Sequence, residues 1–112
     1  MRIAFISGPY RADTQSGIDK NIAKAAQYAK KYWRKGYSVI CPHMNSAHFD
    51  NIVPDKSFLD GDLEFIKRMI PGYDVIVMIP DWEYSTGAQS ERRLAQERDI
   101  EIIYERKTLL RD

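Results

Sequence analysis

A chain of 112 residues is long enough for one hydrophobic core and too short for two, so a single domain carries whatever the protein does. Lys and Arg number 17 against 16 Asp and Glu, and a net charge of +1 argues against general nucleic-acid or membrane-surface binding and for a small, discrete ligand. The single cysteine, Cys41, excludes an internal disulfide. With no signal-peptide pattern at the N-terminus and no apolar run near the roughly 20 residues of a membrane span, a reducing cytoplasm is expected.

In chain order, Arg2 to Ser7 (RIAFIS) is a run of strand formers stopped by Gly8-Pro9. From Ile18 the positions Ile22, Ala25, Ala26, Ala29, Tyr32 and Trp33 recur at helical spacing up to a stop at Gly36. Tyr37 to Cys41 predicts a second strand ended by Pro42, and His43 to Lys56 shows no period and is expected to be a long loop. Ser57 is placed to cap a helix from Phe58 to about Met69, closed by Pro71-Gly72. Tyr73 to Ile79 is almost continuously apolar after Asp74, the pattern of a strand covered on both faces. A third helix, capped by Ser85 or Thr86, is predicted from about Thr86 to Arg98, then a last strand at Ile100 to Tyr104. The polar tail after Glu105 is expected to fray or pack loosely.

Strands alternating with helices predict an α/β fold, a small doubly wound parallel sheet of order 2-1-3-4 with helices on both faces. Ligands of such sheets bind beyond the carboxyl ends of the strands where the order reverses, here between the first and third strands. Ser7 to Arg11 and Pro80 to Glu91 meet at that crevice.

In the first of these segments, Gly8 allows a close backbone approach and Arg11 offers a guanidinium to an anion; the plain alternative is a Gly-Pro turn with a solvated arginine. In the second, a helix capped near Ser85 carries Glu91 in its second turn, turned back toward the sheet. Partly desolvated there, a carboxylate serves as nucleophile or base; otherwise it is a surface partner of Arg92 or of an arginine one turn away. Asp62 is expected early in the second helix, either complementing the helix dipole or working beside Glu91. Trp82 and Tyr84 are placed to stack on a base or simply to pack. His43 and His48, near Asp50, lack the spacing and the fourth ligand of a metal site, so no metal is expected and His43 is read as a ligand contact.

Taken together these residues resemble the nucleoside 2-deoxyribosyltransferase family and its nucleotide N-glycosidase relatives over almost the whole chain. The first motif is matched by Ser7, Gly8, Tyr10 and Arg11, the second by Asp62 to Phe65 with Asp74 to Val77, and the third, Ser-x-Gly-x-x-x-Glu, by Ser85, Gly87 and Glu91. Trp82-Glu83-Tyr84 is an insertion relative to the family pattern. The resemblance implies cleavage or transfer at the N-glycosidic bond of a nucleoside or nucleoside 5′-monophosphate, without a cofactor. It makes Glu91 the nucleophile at C1′, Asp62 the proton-handling carboxyl, and Tyr10 a phenol that positions Glu91 or the sugar. Ser85 and Gly87 become ligand contacts, and a homodimer or larger homo-oligomer is implied. The alternative is a nucleotide-derivative binding or sensing module without catalysis. Arg11, the hydroxyls of Ser7 and Ser85 and the N-terminus of the third helix tilt the expected ligand toward a monophosphate.

Overall fold

Four short runs rich in Ile, Val and Phe form the strands β1 (Ile3–Ser7), β2 (Ser38–Ile40), β3 (Val75–Met78) and β4 (Glu101–Tyr104). They make one parallel sheet in the order β2-β1-β3-β4, as expected, in a computed structural model that describes residues 1–107. The register pairs Ala4 with Val39 and Val75, and Ile76 with Phe5 and Ile102. The central strands are buried on both faces, which is why β3 reads as continuously apolar and not as an alternation. Ala4, Ile6, Val75 and Val77 point to one face, against Ala25, Tyr28, Ala29 and Tyr32 of helix α1 (Gln15–Arg34). Phe5, Ile76 and Met78 point to the other, against Ile66, Ala88 and Ala95. Those three belong to two helices that cross the second face, α3 (Asp55–Lys67) and α4 (Thr86–Glu97).

Several boundaries differ from expectation for local reasons. Helix α1 begins at Gln15, ahead of Ile18, because Thr14 is extended and its hydroxyl accepts the Gly17 N–H at 3.0 Å. The segment from His43 to Lys56 is not all loop: Pro42–Asn45 form a single helical turn, α2, too short to show a period. Helix α3 is not capped by Ser57. Pro54, extended at φ −58° and ψ 148°, precedes its first residue Asp55, and the Ser57 N–H bonds to the Pro54 carbonyl at 2.8 Å. For α4 the cap is Ser85, whose hydroxyl accepts the Ala88 N–H at 3.2 Å. A 3₁₀ turn (Trp82–Tyr84) leads into it.

At the end opposite the ligand crevice, the buried Asp74 carboxylate accepts the N–H groups of Ile3 and Ile70 and ties the start of β1 to the α3–β3 turn. Beyond β4, the Glu105 carboxylate takes bonds from Lys31 at 2.9 Å and Tyr32 at 3.0 Å, and Lys107 lies 3.3 Å from Asp81, so the chain just past Glu105 is tied down and not frayed. The rest of the tail, residues 108–112, lies outside the described residues. Among the described residues no helix is long and apolar enough to cross a membrane.

Candidate functional site

Strands β1 and β3 run side by side as far as Ser7 and Met78, and the Ile79 N–H still bonds to the Ser7 carbonyl at 2.9 Å. At these carboxyl ends lies a cavity of about 490 Å³, within the range that takes a small ligand. Its walls are the Gly8–Arg11 loop, Pro42 and His43, the inner side of α3, and the first turns of α4. Gly8 is required at this position by packing: a Cβ there would overlap the Ile79 side chain, with Cδ1 at 2.8 Å. Only glycine lets the β1 loop pass that close to the end of β3.

On α4 the buried positions are Ala88, Glu91 and Ala95, a helical stripe that faces the sheet. Glu91 is therefore a carboxyl on an apolar face, 6% exposed, and not a surface partner of Arg92, whose guanidinium lies over the Trp82 ring. The Ser7 hydroxyl, itself fully buried at the last residue of β1, donates to Glu91 Oε1 at 2.6 Å. Burial pushes the Glu91 carboxyl up to about 8; the Ser7 hydrogen bond opposes that shift and the charge of Asp62 adds to it. Asp62 is pushed up to about 6, again by burial. Because α3 begins at Asp55, Asp62 lies beyond the first turn, and its place on the cavity wall, not the helix dipole, accounts for it.

As pH rises the two carboxyls ionise in turn, Asp62 before Glu91. Below about 6 both carboxyls are protonated, above about 8 both are ionised, and between these limits the two hold one proton. Such a pair is equipped for chemistry that needs a carboxylate and a carboxylic acid together.

A protein-family model described as a domain of unknown function (DUF4406) matches residues 4–104. The chain belongs to that family. No curated protein and no solved structure matches it. In this DUF4406 domain the matched span runs from β1 to the end of β4 and so contains the whole cavity.

The remaining candidates of the domain divide between wall and periphery. His43 lines the cavity, but its Nε2 shares a hydrogen with the Pro9 carbonyl at 2.9 Å, and burial lowers its pKa, so the ring is neutral and donates from Nε2. Its Nδ1 is sealed away and has no partner among the described residues. His48 is elsewhere, within 3.2 Å of Gln15 and 3.5 Å of Asp19. Tyr10 lines the wall, yet its hydroxyl accepts the His48 N–H at 3.3 Å; the group that touches Glu91 is the Ser7 hydroxyl. Of the two roles expected of Tyr10, positioning Glu91 or the sugar, the contact with Glu91 is made by Ser7 instead, and Ser7, fully buried, does not line the cavity.

Ser85 and Gly87 line the cavity at the start of α4. No atom lies closer than 3.9 Å to a Cβ built on Gly87, so packing does not demand glycine there, and its absent side chain leaves the cavity open. Trp82 does not line the cavity. Its ring packs between the Arg92 guanidinium at 5.1 Å and the Tyr104 ring at 5.7 Å, while Tyr84, 88% exposed, is the aromatic at the mouth. The tight pitch of the 3₁₀ turn sends the two rings in different directions.

Asp55 was missed in the sequence, and Asp50 was read only as a neighbour of His43 and His48. Asp50 and Asp55 accept from Arg11 Nη1 at 3.0 Å and Nη2 at 2.5 Å, closing an ion-paired strap over the rim. Arg11 is thus ion-paired and not simply solvated. The only hint of it was an acidic residue on each side of Pro54 in a stretch without period.

Proposed function

We propose that this protein cleaves or transfers the N-glycosidic bond of a nucleoside, with Glu91 as the nucleophile and Asp62 as the proton-handling carboxyl. The observation that carries the reading is the pair itself: a buried glutamate held by a fully buried serine, within electrostatic reach of an aspartate that lines the same nucleoside-sized cavity. The similarity to the nucleoside 2-deoxyribosyltransferase family points to the same two residues.

The productive state has the shared proton on Asp62 and a bare carboxylate at Glu91. Burial favours the reverse even with the Ser7 hydrogen bond in place, and two features lessen that preference. Ser7 donates to Glu91 Oε1, which stabilises the anion, and positive charge developing at C1′ in an oxocarbenium-like transition state does the same. Glu91 then forms the ester bond to C1′ as the C1′–N bond breaks. The bond's electron pair leaves on the base nitrogen, and the Asp62 proton goes to the base. In the second half Asp62, now a carboxylate, takes a proton from water or from a second base, which attacks C1′ and frees Glu91. No step calls for a cofactor. A pure binding or sensing module would gain nothing from a carboxyl whose burial costs stability at neutral pH, which weighs against that alternative.

The test is incubation with a panel of nucleosides and their 5′-monophosphates, with and without a second free base, and chromatography of the released base. Base release that disappears in Glu91→Gln is expected; release only with water present as acceptor marks a hydrolase, and exchange marks a transferase. Ordinary turnover by the variant would end the mechanism. A homo-oligomer belongs to the same reading, and sedimentation that finds only monomer at micromolar concentration, with full activity, would remove it.

A further inference from the structure

The strap over the rim bears on which substrate the cavity accepts. Among the described residues the cationic side chains that line it are Arg11 and Lys56, against the carboxyls of Asp50, Asp55, Asp62 and Glu91. Arg11 is held on two sides, by Asp50 and by Asp55, and Lys56 lies 2.7 Å from Asp60. Of the hydroxyls expected to suit a phosphate, Ser7 is buried and spends its O–H on Glu91, while Ser85 accepts the Ala88 N–H and keeps its own O–H. Resting on the glycosidic reading above, we propose that Asp50 and Asp55 select a nucleoside with a free 5′-hydroxyl over its 5′-monophosphate by occupying the Arg11 guanidinium.

A phosphate monoester carries close to two negative charges at neutral pH. To use Arg11 it must either displace a carboxylate or take the N–H groups that the two carboxylates leave free, and in both cases it sits beside carboxylate charge in a cavity where, among the described residues, acids outnumber bases. A hydroxyl has no such difficulty, because an ionised carboxylate is an acceptor and welcomes an O–H donor. The N-terminus of α4 favours an anion, but its field fades within the first turn, whereas the carboxylates crowd the same cavity. Asp50 and Asp55 thus act by repelling the wrong ligand as well as by suiting the right one.

The experiment compares kcat/KM for matched deoxynucleosides and their 5′-monophosphates, measured by base release, in the unaltered protein, in Asp50→Asn/Asp55→Asn and in the milder Asp55→Asn. The unaltered protein is expected to prefer the nucleoside, and the double variant to raise the monophosphate-to-nucleoside ratio at least about tenfold, as removal of like charge should. Adding Arg11→Ala to the double variant should abolish that gain. A preference of the unaltered protein for the monophosphate, or a ratio unmoved in both Asp variants, overturns the proposal and leaves the glycosidic reading standing. If neither series releases base, the glycosidic reading fails instead, and calorimetry with the same ligands decides the selection directly. Tighter binding of the nucleoside upholds it; equal or weaker binding, or none of either, overturns it.

Discussion

The floor and the rim of the cavity use charge in opposite ways. On the floor, Glu91 and Ser7 are buried, and the hydrogen bond between them spans 2.6 Å. At the rim, Arg11, Asp50 and Asp55 remain partly in solvent, with side chains 52%, 33% and 74% exposed, and they satisfy one another. Desolvation brings a carboxyl of the floor into the neutral pH range, where the proposed chemistry needs it. Solvent at the rim leaves the charges weakly paired, which suits the proposed sorting of ligands.

The sharpest way to break that contrast is Glu91→Gln. Turnover should fall at least about 10³-fold, as for loss of a covalent nucleophile, with the fold retained by circular dichroism. The same variant reads the cost of the floor. A carboxyl raised from 4.5 to about 8 keeps its proton in the folded state after the unfolded chain has lost it. The stability of the unaltered protein should therefore decline as pH rises from about 4.5 to about 8 and level off above. Relative to Glu91→Gln, denaturant melts across that window should show a loss on the order of a few kcal/mol. A flat difference would mean that Glu91 is not desolvated.

Asp62→Asn comes next, with an expected loss of about 10²- to 10⁴-fold, the usual worth of general acid–base assistance. The unaltered protein should show a bell-shaped pH–rate profile with limbs near about 6 and about 8, because only the singly protonated pair is productive. Loss of the bell in Asp62→Asn supports the shared proton; an unchanged profile removes Asp62 from the pair.

Ser7→Ala separates positioning from chemistry on the floor. Loss of a hydrogen bond to a charged group, worth roughly 1.5–3 kcal/mol, should slow turnover by about 10- to 100-fold and move the alkaline limb upward, since Ser7 now holds the Glu91 carboxyl down. A reduced rate with an unmoved limb would reduce Ser7 to a packing residue. The smallest effect belongs to the rim. Arg11→Ala should change the free energy of unfolding by no more than about 1 kcal/mol, as exposed ion pairs do. A larger loss in a denaturant melt would show that the strap supports the fold and would blur the division between the two regions.

The sheet was legible in the sequence because its causes are local and repetitive. Apolar runs of strand length, turns at Gly8-Pro9 and Pro71-Gly72, and helices between them leave little freedom in topology once crossovers must be right-handed. The inward turn of Glu91 was legible for the same reason, since Ala88, Glu91 and Ala95 share one stripe of a helix capped at Ser85. Starts of α1 and α3 were read too late because their first turns are polar and carry no period. The pairings that define the site were a different matter. Ser7 meets Glu91 across 84 positions, and Arg11 meets Asp50 and Asp55 across 39 and 44. Nothing in the neighbourhood of either partner announces the other. Local sequence sets backbone preference and the face of a helix, whereas the choice of Ser7 over Tyr10 beside Glu91, and of Tyr84 over Trp82 at the mouth, depends on where distant backbones bring side chains within a few ångströms, and that is decided only when the sheet and its helices close around the cavity.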